Sequence, residues 1–263
     1  SQSSPSFFFP ICWAPFLFTY FHIMRGGGRL ISKVPLNFVR LNRAPILHQL
    51  WWEEKLLRGT DSNWCIVNLG APDPAIVLGI SGKPEKMCNL DLVNRDKIPM
   101  IKRFTGGGTV IVDEDTIFIS LIMNKASFPQ IEPFPRTIMD WTGEVYSPVF
   151  EKYLSPFSES FAVRENDYVL GDKKFGGNAQ SIIKDRWLHH TSFLWDFKAK
   201  NMEYLQLPEK RPAYRASRDH GAFLTRLRDH FSTLRTPEAF LRALEESLSD
   251  QFSLASVSPG EAE

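Results

Sequence analysis

Three consecutive glycines, Gly106-Gly107-Gly108, follow Lys102-Arg103-Phe104-Thr105 and precede the β-branched run Thr109-Val110-Ile111-Val112. Such a triplet does not fit inside a helix or a central strand, because each glycine loses backbone entropy and packs no side chain. It marks a loop with open backbone, set between β signal over 99–103 and over 109–123. Bare N–H groups in such a loop approach a phosphate or carboxylate closely. Arg103 adds a permanently charged planar fork suited to phosphate. The spacing is neither a Walker loop, which needs GKS or GKT, nor the dinucleotide fingerprint GxGxxG. Taken alone, the segment also reads as a β-bulge or a wide hairpin turn.

Around this loop the chain mixes strands and helices without strict βαβ alternation. Strands are predicted over 36–42, 63–69, 75–79, 168–170, 175–183 and 187–195. A helix over 46–58 follows Pro45, repeats Ile46, Leu47, Leu50, Leu56 and Leu57 at helical spacing, and stops at Gly59. Further helices are predicted over 84–95, 135–154, 220–231 and 237–252, with Pro135 and Pro237 in first-turn positions. The pattern implies an α+β fold: a mixed, largely antiparallel central sheet flanked by helices.

Charge narrows the function. The 263 residues carry a formal net charge of +1, which argues against broad electrostatic nucleic-acid binding. Residues 1–52 hold no acid and five cations: Arg25, Arg29, Lys33, Arg40 and Arg43. The rest of the chain is mildly acidic. The aromatic run over 7–23 is short for a membrane helix and is broken by Pro10 and Pro15, so it is expected to lie outside the working fold. From Met24 the acid-free sequence fits either an organelle transit peptide or a flexible basic tail. Cys12, Cys65 and Cys88 give no disulfide framework and no CxxC pair, so structural zinc is not expected.

A second segment changes the reading of the first. It runs Gly171-Asp172-Lys173-Lys174-Phe175-Gly176-Gly177-Asn178-Ala179-Gln180, with His189-His190 beyond it. A lysine on a strand beside two glycines is held rigidly, and its ammonium can bridge two anions. By itself the segment reads as a polar hairpin with a solvated lysine. The two segments together resemble the lipoate–protein ligase family of the biotin/lipoate ligase superfamily. That family has a basic pair, two residues and Gly-Gly-Gly, then Lys-x-x-Gly-x-Ala with a histidine sixteen residues after the lysine. Here these are Lys102-Arg103 with Gly106–Gly108, Lys174 to Ala179, and His190.

The resemblance implies a leader over 1–35, a catalytic domain over 36–252 and a flexible tail over 253–263. It implies that lipoate or octanoate reacts with ATP, accompanied by Mg²⁺, to give an acyl-adenylate. The acyl group then passes to a lysine of lipoyl-acceptor domains, on dehydrogenase E2 subunits or the glycine cleavage H protein. Lys174 takes the catalytic role, where a fixed cation would stabilise the charge built at the acyl and phosphate oxygens. Substrate and nucleotide contacts fall to Lys102, Arg103, Thr105, Gly106, Gly107, Gly108, Thr109, Val110, Ile111, Val112, Asp113, Gly177, Asn178, Ala179 and His190. No protein metal ligands are implied. The acyl chain is expected to lie among Trp51, Trp52, Val77, Leu78 and Phe104. Neither nucleic acid nor a membrane is expected as a partner, and the expected location is mitochondrial rather than plastid or cytoplasmic.

The chain departs from the family pattern at several positions. Lys102 stands where an arginine is commoner and supplies charge without a fork. Val112 stands where a histidine often precedes the aspartate, and only about 50 residues follow the adenylation fold. The terminal helices then substitute for an accessory domain, or a separate accessory chain helps, or the first step is weak. Rival readings are an octanoyltransferase, a lipoyl amidotransferase and a non-catalytic acyl- or nucleotide-binding module. The thioester route of the first needs a cysteine, and none follows Cys88.

Overall fold

The computed structural model describes residues 32–207 and 211–262; the aromatic run, the stretch from Met24 to Ile31 and Cys12 lie outside them. In chain order the first elements are β1 (Val34–Leu41), α1 (Ile46–Gly59), β2 (Trp64–Leu69) and β3 (Ala75–Leu78). Next come α2 (Pro84–Met87), α3 (Leu90–Asp96), β4 (Met100–Lys102), β5 (Thr109–Val112), β6 (Thr116–Asn124) and α4 (Pro135–Tyr153). The hairpin region holds β7 (Phe161–Arg164), β8 (Asp167–Leu170), β9 (Lys173–Ile182) and β10 (Arg186–Leu194). The chain continues through α5 (His220–Phe223), α6 (Pro237–Gln251), β11 (Phe252–Val257) and α7 (Pro259–Ala262).

Eight strands form one sheet in the order β11-β1-β2-β6-β10-β9-β8-β7, and β4-β3-β5 form a second, smaller sheet. In the large sheet β11, β1 and β2 run parallel and every other pairing is antiparallel. The fold is therefore the expected α+β arrangement.

Strand alternation separates two faces. One carries Phe38, Cys65, Val67, Ile119, Leu121 and Phe193 against α4 and α6, in a core rich in Tyr146, Phe150, Tyr168 and Phe240. The other carries Val39, Ile66, Ile122 and Leu188 against Trp52, Leu56 and Leu57 of α1. The N-terminal turn of α1 packs on the small sheet through Ile46 and Leu50, which meet Ala75, Val77 and Val112. Helix α1 thus packs on both sheets.

Several elements differ from expectation for local reasons. The helix predicted over 84–95 is split at Cys88, which bridges to Leu205, and Asn89 caps α3 by accepting from Leu92 N–H. The helix predicted over 220–231 ends after one turn. Asp219 caps it, and then Leu224 leaves to pair with Lys174. Residues 253–257, expected as tail, belong to β11, which pairs with β1 from Val34↔Phe252 to Val39↔Val257. That register draws residues 34 and 35 into the folded domain as well. Strand β7 carried too weak an alternation to be read.

Candidate active site

The glycine loop connects β4 to β5 in the small sheet, and Arg103 governs its shape. This side chain is 5% exposed. Its Nε donates to Thr105 Oγ1 at 3.0 Å, its Nη2 to the carbonyls of Gly106 at 2.9 Å and Gly108 at 2.8 Å, and its Nη1 to Val77 O at 3.3 Å. The expected phosphate fork is therefore engaged in folding the loop, and Thr105 is buried beneath it. Burial pulls the Arg103 guanidinium down to about 10, against the attraction of Glu53. In a trans peptide the C=O and the following N–H point in opposite directions. Turning the Gly106 carbonyl toward Arg103 consequently turns the Gly107 N–H away from it. Arg103 thus shapes the loop from within and orients its backbone groups.

Gly107 must be glycine for two reasons. Its φ is +105°, and a Cβ there would lie 2.7 Å from Arg103 Nη2. The same Cβ would lie 3.4 Å from Ala179 Cβ and 3.6 Å from Asn178 O. The glycine loop therefore rests directly on β9, and motifs some seventy residues apart in sequence meet. Gly79 completes the approach, since a Cβ on it would fall 2.2 Å from Gly107 O.

Lys174 comes to the same face of β9 through a bulge. Between β8 and β9, Tyr168 pairs with Gly176 while Val169 pairs with Lys174, which leaves Phe175 extra. Phe175 and Gly176 both face the aromatic core, where a Cβ on Gly176 would meet Phe193 and Tyr168. The added residue shifts the alternation by one, so Lys174 and Gly177 share the other face. The ammonium runs over Gly177, 3.3 Å from where its Cβ would be. Lys174 Nζ pairs with Asp167 Oδ1 at 2.6 Å.

The two adjacent histidines have opposite environments. His189 is fully buried, accepts from Gln180 Nε2 at Nδ1 (3.0 Å), and contacts Tyr168 Oη through Nε2 (2.8 Å). Burial, with a smaller push from His190, lowers it to about 3, so it is a neutral structural side chain. His190 stands opposite Ala179, on the glycine-loop face, with Nδ1 2.9 Å from Glu53 Oε2. Glu53 is wholly buried on α1. Its Oε1 accepts from Ser120 Oγ at 2.5 Å and from Gln49 Nε2 at 3.0 Å, and Gln49 accepts from Asn68 Nδ2 at 3.1 Å. Burial alone would push the Glu53 carboxyl up, but His190 and these donors together hold it below its ordinary value.

The other expected residues sort unevenly. Thr109, Val110, Ile111 and Val112 form β5, an edge strand of the small sheet. The Ile111 and Val112 side chains are core, which leaves the backbone for any ligand. The Thr109 hydroxyl is buried without a hydrogen-bond partner. Lys102 is exposed on β4. Asp113 instead organises a turn, accepting from Asp115 N–H at 3.1 Å and Asn201 Nδ2 at 2.8 Å. Asn178 sends its amide to Asn166 O at 2.6 Å and borders the loop through its backbone. Of the residues expected around the acyl chain, Trp51 is exposed, Val77 and Leu78 belong to separate core clusters, and Trp52 and Phe104 share one. Among the described residues no group of three His, Cys, Asp or Glu side chains is placed to hold a metal ion.

The family model described as the Lipoyl protein ligase A/B catalytic domain matches residues 45–249. The chain belongs to that family. Across 80% of its length it is 31% identical to "Inactive lipoate–protein ligase 2" of Plasmodium falciparum, covering 68% of that protein. It is 26% identical to "Lipoate-protein ligase A" of Blochmanniella floridana, of which it spans only 45%. Among solved structures, the bi-partite lipoate protein ligase of Thermoplasma acidophilum superposes with a TM-score of 0.69 at 16% identity, covering 88% of this chain and 89% of that one. A lipoate-protein ligase A bound with ATP superposes with a TM-score of 0.67 at 16% identity, over 88% and 91% of the two chains. At such identities the superpositions establish the shared fold. Glu53, Gln49, Ser120 and Asp167 escaped the motif reading of this lipoyl ligase domain. One signal was available: Gln49 and Glu53 fall on the apolar stripe of α1 beside Ile46, Leu50 and Leu57.

Proposed function

We propose that this domain activates lipoate or octanoate with ATP as an acyl-adenylate and transfers the acyl group to a lysine of a lipoyl-acceptor domain. The observation that carries the proposal is that Lys174, lying over Gly177, and the glycine loop, resting on Ala179, occupy the same face of β9. Both steps place negative charge on an acyl oxygen and an α-phosphate oxygen. Lys174 supplies a cation there, and the Gly107 N–H supplies a donor held by Arg103. Fixed groups of this kind typically stabilise a transition state by about 3–4 kcal/mol per donor. Glu53 and His190 form the polar floor of the same face. Magnesium would accompany the nucleotide, offsetting phosphate charge.

The test mixes the full chain with an apo lipoyl domain, ATP and either lipoate or octanoate. Pyrophosphate release and mass spectrometry of the acceptor lysine are followed together. The ligase reading expects acid-dependent pyrophosphate release and a new amide on one lysine. Lys174→Ala should abolish both in a protein that still folds, as circular dichroism would show, at some cost in melting temperature because Asp167 loses its cation. A Lys174→Ala protein with near-normal turnover would refute the assignment.

A second reading, transfer without ATP activation, has one observation in its favour. The Arg103 fork is engaged by loop carbonyls, and the exposed Lys102 offers charge without a fork. In that reading lipoyl transfer from a donor lipoyl protein proceeds with no pyrophosphate. A thioester route finds little support, since burial pushes the Cys65 and Cys88 thiols up and away from thiolate. If a separate accessory chain is needed for activation, pyrophosphate release will appear only when it is added.

A further inference from the structure

Two contacts hold Lys174 that neither sequence motif contains. Asp167, at 5% exposure, has both carboxylate oxygens engaged: Oδ1 by Lys174 Nζ at 2.6 Å and Oδ2 by the Tyr214 hydroxyl at 2.8 Å. Tyr214 belongs to a segment over 212–225 that lies far downstream of Lys174 in sequence. The same segment also grips the lysine backbone: Leu224 bridges Lys174 in parallel, and Thr225 N–H donates to Lys174 O at 2.9 Å.

The segment is itself fixed. Arg218 donates to Asp172 Oδ2 at 2.8 Å and to Tyr214 O at 2.6 Å. The Tyr214 ring contacts Phe223 at 5.3 Å and lies under the Arg164 guanidinium at 4.5 Å. Burial and the neighbouring carboxylate push the Tyr214 hydroxyl far up, so it remains a donor and Asp167 the acceptor.

We propose that Asp167, held by Tyr214, is a positioning residue that fixes the Lys174 ammonium over Gly177, on the face of β9 on which the glycine loop rests. The proposal rests on the reading of Lys174 in the preceding subsection. An ammonium has three donors. One is spent on Asp167, which sets the direction of the other two toward substrate oxygens. A lysine side chain is otherwise flexible, and its placement has to be imposed by a partner. Tyr214 keeps the carboxylate from rotating, and Thr225 keeps the strand from sliding beneath it.

The test compares wild type, Asp167→Asn and Tyr214→Phe in the full chain with two readouts. The first is the rate at which acetic anhydride acetylates Lys174 without substrate, scored by peptide mass spectrometry against the other lysines. The second is steady-state turnover with lipoate, ATP and apo acceptor domain. In Asp167→Asn, Lys174 labelling should rise about fivefold, the scale of a partly exposed ion pair. Its kcat should fall roughly 10- to 100-fold, as expected for a misplaced catalytic group, with the KM for lipoate within about threefold. Tyr214→Phe should move both readouts the same way by less; it removes one hydroxyl and keeps the charge, so it decides the matter if Asp167→Asn does not fold. Unchanged labelling overturns the proposal, and so does faster labelling with undiminished kcat. The labelling arm needs no turnover, so it separates failure of this proposal from failure of the ligase reading.

Discussion

Replacing His189 by glutamine should flatten the acid limb of this protein's stability. His189 is fully buried in β10 and held near 3 by burial, while an unfolded histidine titrates near 6.5. The unfolded chain therefore takes up the proton first, and native stability falls as pH drops below the unfolded value. Between about pH 8 and about pH 5 this one site should remove ~2 kcal/mol, with more lost toward pH 3. Glu53 adds its own loss only lower, because its carboxyl is held below the ordinary 4.5 and its contribution disappears as pH falls through the folded value. Glutamine keeps a hydrogen-bonding group facing Tyr168 and Gln180 but has no proton to gain. Urea unfolding of both proteins across that range gives the comparison directly, since every other titrating group is shared. The variant should lose a constant amount at high pH and converge on wild type by about 2 kcal/mol at pH 5. Parallel pH curves would refute the reasoning and show that His189 is protonated, or solvated, in the native state.

Three further outcomes follow from the geometry. Arg103→Lys should be nearly as harmful to turnover as Arg103→Ala, because an ammonium cannot span Thr105, Gly106, Gly108 and Val77 together; near-normal turnover of Arg103→Lys would contradict this. Gly107→Ala should cost roughly 1–2 kcal/mol from its positive φ alone and reduce turnover more than stability, which thermal melting and initial rates together would show. Phe252→Ala should destabilise by about 3–5 kcal/mol in urea, since Phe252 is 5% exposed in the main core; a loss under 1 kcal/mol would place β11 outside the cooperative unit.

How much of this was legible depended on range along the chain. The strands and α1 were readable because their apolar periodicities are local, and the two glycine-containing motifs were readable because their spacing is unusual. The carbonyls that Arg103 meets, at Gly106, Gly108 and Val77, could not be foreseen, because a charged fork reads as a phosphate ligand and backbone carbonyls carry no sequence signature. The turn that Asp113 organises was hidden in the same way, since its partner Asn201 lies far downstream. The bulge at Phe175 was invisible because it is defined by the register of the facing strand. Residues 253–257 read as tail because β11 is a short edge strand of small residues, exposed at Ser253, Ala255 and Ser256, and its pairing with β1 spans most of the chain.

That last pairing bears on how the protein comes to be folded. Strand β1 cannot be flanked on both sides until β11 exists and has been brought back across more than two hundred residues. Parallel pairing over such a separation requires a large loop to close before any contact rewards it, so folding is expected to be slow for a domain of this size. Through synthesis and refolding, one rim of β1 stays unpaired, beside the apolar Phe38 and Val39, and offers a template for another chain. Substitutions in β11, remote from Lys174, should thus be felt first as lowered yield of soluble protein, with normal specific activity in the molecules that complete the sheet.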